Sequence, residues 1–150
     1  MAIGDATMLG MANRFTVDIS NGAYNLGSWS KVEGLDVKWD VAEYRAGDSG
    51  NERWYFPANT HYSVVKLTRA ASAESLEVRK WLDSTSFKWE PQVAAVVLHD
   101  STGAKVVTWD LKNVMPMRWS ITGFDASASQ VATETLELNH RGFLADEKKL

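Results

Sequence analysis

The chain of 150 residues contains no cysteine. That excludes disulfides, thiolate metal sites and a cysteine nucleophile, and it accords with folding in a reducing compartment. No apolar run is long enough to cross a bilayer. The longest, Val93 to Leu98, falls far short of the roughly 20 residues a spanning helix needs. The opening stretch MAIGDATMLGMANRF holds Asp5 and no base before Arg14, so a signal peptide is not expected there. An excess of positive charge is missing too. The formal charge is −3, the wrong sign for a general nucleic-acid binder. GxSxG, P-loop, GxGxxG and HExxH motifs do not occur, and neither do internal repeats, linkers or low-complexity tracts.

What is present suits one domain with a substantial core. Hydrophobic residues make up 45% of the chain and charged residues 23%, an ordinary globular balance. Seven tryptophans are many for this size. Each carries a large apolar surface and one N–H that needs an acceptor. Core positions are the first expectation for them, and an interface between molecules is the second.

Asn13 to Ser20 alternates Phe15, Val17 and Ile19 against Arg14, Thr16 and Asp18, the pattern of a half-buried strand. Asn21-Gly22 is a hairpin signal, and the chain returns through Tyr24, Leu26 and Trp29. Gly34 precedes a strand in which Leu35, Val37, Trp39 and Val41 oppose Asp36, Lys38 and Asp40. A polar, glycine-bearing loop follows and ends on Trp54, Tyr55 and Phe56. Tyr62 to Ala70 reads as another strand. Ser72 suits a helix cap for Ala73 to Ser84, with Val78, Trp81 and Leu82 on one face and Leu76 off it. Strands at Gln92–His99 and Lys105–Leu111 flank the tight turn DSTG, where Asp100 and Gly103 suit a reversal. Pro116 interrupts the chain before a strand at Met117–Phe124, and Val131–His140 is the last strand. Seven or so strands and one helix give a β-rich α+β domain, an antiparallel barrel or sandwich with a flanking helix.

Chemistry is hard to find in this pattern. His61, His99 and His140 lack metal-ligand spacing. His140 shares a strand face with Leu138, Leu136 and Glu134, so a Glu–His pair is conceivable beside a plain structural hydrogen bond. Asp36 and Asp40 lie on one strand face, but Lys38 between them favours a solvated row over acid–base work. More informative are the polar rows themselves: Asp36, Lys38 and Asp40; Thr133, Thr135, Glu137 and Asn139; Arg14, Thr16 and Asp18; Lys66 and Thr68. One wet face is common in antiparallel sheets. It is the outside of a sandwich or the wall of a water-filled space.

The C-terminal third carries a specific resemblance. NVMPMRWSITGFDASASQVATETLELNHRGF, from Asn113 to Phe143, combines a proline–tryptophan segment with the last strand. It resembles the end of inner tube proteins of contractile injection systems, the family that includes the tail-tube proteins of contractile phages. VEGLDV (Val32–Val37), EYRAG (Glu43–Gly47) and LTRA (Leu67–Ala70) are similar to segments of that family in matching order. The chain departs from it at Pro57-Ala58 and Arg69-Ala70, where the family often has Pro-Gly and Arg-Gly.

The resemblance implies a single tail-tube domain over 1–150, with an N-terminal arm at 1–12 and an extended loop at 43–58. It implies a non-enzymatic structural subunit without cofactors, assembling as hexameric rings that stack into a hollow tube inside a contractile sheath. Implied partners are further copies of itself, a sheath protein, baseplate or hub proteins and a cargo effector in the lumen, with no membrane and no specific nucleic acid, DNA passing through the lumen if the particle is a phage tail. The implied location is the cytoplasm of the producing cell, within an assembled particle that is a phage virion, a released injection particle or an intracellular system. On this reading Glu43, Tyr44, Arg45, Asp48, Glu52, Arg53 and Trp54 make inter-ring contacts. Strands Leu35–Val41 and Val131–His140 share the lumen-lining sheet, which puts Asp36, Lys38, Asp40, Thr133, Thr135, Glu137 and Asn139 on the lumen. The competing reading is a small-ligand β-barrel, which requires an apolar interior pocket and a stable monomer.

Overall fold

The computed structural model describes residues 14–20, 22–44, 47, 53–86, 90–123, 126–127 and 131–144. Among them lie β1 (Phe15–Ile19), β2 (Tyr24–Trp29), β3 (Lys31–Glu33), β4 (Val37–Tyr44), β5 (Trp54–Tyr62), β6 (Val65–Ala70), α1 (Ser75–Ser86), β7 (Ala94–His99), β8 (Lys105–Leu111), β9 (Met115–Thr122) and β10 (Thr133–Asn139). A first sheet has the order β2-β1-β7-β8 and a second the order β3-β6-β10-β9, while β4 and β5 form a ladder of their own. Every pairing is antiparallel. The expected choice between barrel and sandwich resolves to two open sheets with an appended hairpin; no barrel closes among the described residues.

The core follows from the period of two. Val17, Ile19, Leu26, Trp29, Ala94, Val96 and Leu111 from the first sheet meet Val65, Leu67, Leu136 and Leu138 from the second. Alternate residues point to opposite faces of a strand, so an apolar row on each sheet is enough to build one shared interior. Helix α1 closes one side with Val78 and Trp81, both fully buried, while Leu76 stays exposed as its position off the stripe predicts. Ser72 caps the helix as expected: its Oγ accepts from the Glu74 N–H, and Ser75 Oγ accepts from the Ser72 N–H. The Trp81 indole N–H donates to Gln92 Oε1 at 2.7 Å.

At the turn before β8, Asp100 Oδ1 accepts from Thr102 N and Oγ1 and from Ala104 N. Gly103 there has φ 89°, the left-handed conformation that this reversal requires.

Three features depart from the sequence expectation. The expected strand 62–70 breaks at Ser63–Val64, so that β5 belongs to the hairpin and β6 to the second sheet. Pro116 does not interrupt β9. It lies within the strand beside a register shift between Glu137 and Leu138, on the sheet's edge, where a missing N–H is tolerated. β4 does not join the sheet of β10; among the described residues it pairs with β5 alone. The corner that allows this is Gly34, with φ 90° and Val64 O lying 2.0 Å from where a Cβ would stand.

Gly34→Ala is therefore expected to lower stability by roughly 1–3 kcal/mol from backbone strain and this carbonyl clash. Gly22→Ala, with φ 92° but open space around it, should cost less. Thermal denaturation of the two variants checks the order.

Candidate assembly surfaces

The outer face of the second sheet is the first surface. Register places Glu33 opposite Lys66, Lys66 opposite Glu137, and Glu137 opposite Arg118. One row across all four strands thus alternates carboxylate, cation, carboxylate, cation. The next row runs Lys31, Thr68, Thr135, Ser120. Lys31 and Glu33 form an ion pair at 2.6 Å. The Lys31 hydrogen bond holds the Glu33 carboxyl below its ordinary pKa, helped by the charges of Lys31 and Lys66. Lys66, Arg118, Ser120, Thr135 and Glu137 line a polar depression of about 140 Å³. Thr133 and Asn139 complete this face along β10, alternating with buried Glu134, Leu136 and Leu138. β3 and β9 are the edges of the sheet.

The β4–β5 hairpin is the second surface. Trp39, Val41, Tyr44, Trp54, Tyr55 and Phe56 are each between 50% and 65% exposed. The aromatics do not plug the subunit's own core. Pairing of Ala42 with Phe56 and of Tyr44 with Trp54 places those rings on one face; Val41 with Pro57 and Glu43 with Tyr55 occupy the other, along with Trp39. Both faces are apolar and open.

The loop expected from 43 to 58 is shorter than the sequence suggests. Glu43 and Tyr44 end β4, and Trp54 to Ala58 belong to β5, because aromatic residues opposite one another favour a ladder. Arg53 Nε pairs with Glu43 Oε1 at 3.1 Å. Arg45, Asp48 and Glu52 lie outside the described residues.

Asp36, Lys38 and Asp40 are exposed at the base of the hairpin and do not share a sheet with Thr133, Thr135, Glu137 and Asn139. Sequence alternation tells which residues share a face of one strand, but not which strand lies beside it. Asp36 Oδ1 accepts from Ser63 Oγ at 2.5 Å, and Asp40 Oδ2 contacts His61 Nε2 at 2.7 Å.

The other histidines are structural in the same way. His99 Nδ1 donates to Gly103 O and its Nε2 accepts from Thr16 Oγ1. His140 does not meet Glu134. Its Nδ1 accepts from Gly142 N at 3.0 Å, so its Nε2 donates to Ser63 O at 2.9 Å. Burial lowers the His140 pKa, although the Ser63 contact opposes this. No group of three metal-ligating carboxylates or histidines stands together among the described residues. The buried side chains of both sheets and α1 form one contiguous interior cluster.

Sequence reasoning missed the polar group that organises these surfaces. Arg69 and Glu134, cross-strand partners on β6 and β10, are both buried and paired at 2.8 Å. Glu134 Oε2 also accepts from Ser75 Oγ at 2.6 Å, and Oε1 accepts from Trp119 Nε1 at 2.9 Å. Arg69 Nη1 donates to Leu26 O, Ser28 O and Glu74 Oε2, and its guanidinium lies 3.9 Å from the Trp29 ring centroid. Gly27 is what lets Glu74 approach: a Cβ there would stand 2.3 Å from Glu74 Oε2. Arg69 Nη2 and Trp29 Nε1 have no acceptor among the described residues. The available signal was a carboxylate in the apolar row of Leu136 and Leu138.

An enclosed core with an open apolar hairpin, a wet sheet face and two sheet edges describes a building block for assembly. The chain belongs to the T4-like virus tail tube protein gp19 family, whose model matches residues 11–144, and it is a structural tube subunit. No curated protein matches it. Its fold is shared with solved structures of contractile particles. A chain of an extracellular contractile injection system, the PVC sheath–tube complex in the extended state, is 22% identical; the match covers 87% of this chain and 86% of that one, with a TM-score of 0.67. A chain of the PVC sheath/tube terminator is 21% identical, covering 87% and 91%, with a TM-score of 0.68. A chain of the sixfold-symmetrised anti-feeding prophage baseplate is 22% identical, covering 89% and 92%, with a TM-score of 0.65.

Burial by itself would raise the Glu134 pKa, but the hydrogen bonds from Arg69, Ser75 and Trp119, with the Arg69 charge, together bring it below 4.5. A depressed carboxylate contributes stability that is complete above the unfolded value and lost as pH falls through the folded one. Acid titration of the wild type should show this loss below about pH 4.5, and Glu134→Gln should flatten it. Arg69→Met, which strands a buried carboxylate, should cost about 3–5 kcal/mol in chemical denaturation.

Proposed function

We propose that copies of this chain join through the edges of the second sheet into a closed ring of six, the symmetry of the anti-feeding prophage baseplate, and that rings stack into the tube. The observation that carries this reading is the charge row of that sheet. It begins on edge strand β3 with Glu33 and ends on edge strand β9 with Arg118, so the two free edges are complementary. Direction agrees as well. With four strands alternating in direction, β9 of one copy meets β3 of a rotated copy antiparallel. Such a heterologous contact closes into a ring when the rotation per copy is fixed. It also pairs edges that would otherwise invite aggregation.

In this ring the wet face lines the lumen, with Thr133, Thr135, Glu137 and Asn139 on its wall. The hairpin reaches the neighbouring ring. Glu43, Tyr44, Arg45, Asp48, Glu52, Arg53 and Trp54 make the inter-ring contacts, while Asp36, Lys38 and Asp40 support the hairpin's base and leave the lumen to the second sheet. An isolated two-stranded ladder is marginal in water, and covering these half-exposed side chains is worth roughly 1 kcal/mol or more each. A sheath surrounds the tube and supplies the driving energy, and a baseplate templates the first ring. The particle assembles in the cytoplasm of the producing cell, and the tube acts as a mechanical element that makes and breaks no covalent bond.

Two experiments test this. Glu33→Arg or Arg118→Glu alone should reduce ring formation about tenfold or more, since like charges then meet at the boundary. Combining them should restore rings in sedimentation and negative-stain microscopy; a double variant no better than either single variant refutes the edge contact. Trp54→Ser with Phe56→Ser should leave the subunit's melting temperature nearly unchanged while abolishing stacked tubes. If those tubes still form at wild-type concentrations, the hairpin does not join rings.

A further inference from the structure

We propose that the charged row across the lumen wall, balanced within each copy, suits a polypeptide cargo of mixed charge, and that Glu137 limits the holding of polyanions by standing between Lys66 and Arg118. This rests on reading the wet face as the lumen. The face carries Lys31, Lys66 and Arg118 against Glu33 and Glu137, one net positive charge per copy, while the row of Glu33, Lys66, Glu137 and Arg118 is itself balanced. Lys31 is ion-paired with Glu33 at 2.6 Å. Lys66 has Glu33 across one strand boundary and Glu137 across the other, and Arg118 has Glu137. When β9 meets β3 of the next copy, Arg118 gains that copy's Glu33, and the alternation runs unbroken around the bore.

The physics of such a row differs from that of a basic groove. Opposite charges one strand apart, about 4.8 Å, lie well inside the Debye length of about 8 Å, so their fields cancel a short way above the wall. Tight polyanion binding needs uncompensated cations that release counterions from the phosphates. Here hydroxyls and charges of alternating sign face the bore, and a chain carrying both signs finds no long stretch that attracts or repels it. Glu137 occupies the decisive position because, within a single copy, it has a cation across both of its strand boundaries, Lys66 on one side and Arg118 on the other. Without it, Lys66 and Arg118 would flank the polar depression of about 140 Å³ that they share with Ser120 and Thr135, and that depression would become an anion site repeated in every subunit.

The experiment assembles tubes in the presence of a labelled single-stranded DNA oligonucleotide or a labelled peptide of alternating lysine and glutamate, then pellets and washes them. Wild-type tubes should enclose the peptide freely and retain little oligonucleotide. Glu137→Gln tubes should retain at least about tenfold more oligonucleotide, an excess that disappears as salt is raised. Adding Lys66→Gln, on an interior strand of the sheet, should return retention toward the wild-type level. Should Glu137→Gln not assemble, Thr135→Lys adds a positive charge with the carboxylate in place and should also trap the oligonucleotide. Wild-type tubes that hold the oligonucleotide as strongly as Glu137→Gln would overturn the proposal and mark the bore as a nucleic-acid conduit.

A Thr135→Cys tube separates this failure from failure of the lumen reading. The chain has no native cysteine, so labelling reports that position alone. If intact tubes react there as fast with a bulky protein-linked maleimide as with a small one, the face is external and the assembly reading itself falls.

Discussion

Arg69 and Glu134 meet where β6, β10, the start of α1 and the β2 backbone converge. Two charges removed from water cost several kcal/mol each unless their remaining hydrogen-bonding capacity is used. Here most of it is used by groups from different elements: Ser75 and Glu74 beside the helix start, Trp119 on β9, and the carbonyls of Leu26 and Ser28 on β2. The pair therefore does more than hold two strands together. It specifies how the two sheets and the helix sit, because any other arrangement strands a charge in the interior.

The wet face depends on the same pair. Side chains alternate along a strand, so drawing Glu134 inward sends Thr133, Thr135 and Glu137 outward. A slip of one residue would bury Glu137 and expose Leu136 and Leu138. The apolar row and the buried pair thus act together to set the register, and the register writes the charge row across the outer face. In this way an interior constraint fixes the chemistry of a surface on the opposite side of the sheet.

The body and the hairpin divide the work of an assembling subunit. The body is finished: its core residues are fully buried and its histidines are engaged in local hydrogen bonds. The hairpin is unfinished, with aromatic rings open on both faces. Stability is therefore concentrated in the body, and the apolar surface whose burial would release free energy stays open on the hairpin. A two-sheet body with a projecting ladder makes this separation possible, because few residues of the hairpin touch the core.

Several elements were legible in the chain because their signals are local. The alternation in β1, the cap and stripe of α1 and the Asp100–Gly103 turn each follow from residues close in sequence. The resemblance of Asn113–Phe143 to tube proteins carried the family. Other features had no local signal. β3 is too short to show a pattern. The break at Ser63–Val64 depends on the corner at Gly34, and the placement of β4 beside β5 depends on what the second sheet has already paired with. Glu134 did leave a trace, as a carboxylate in an apolar row, but its partner Arg69 lies far away in the chain. The sequence by itself determined the inner and outer faces of the body's strands, helix α1 and the kind of protein, since side-chain period and motif are properties of neighbouring residues. Only the tertiary structure decided which rows lie side by side and which apolar residues stay uncovered, because those are relations between segments that meet only when the chain has folded.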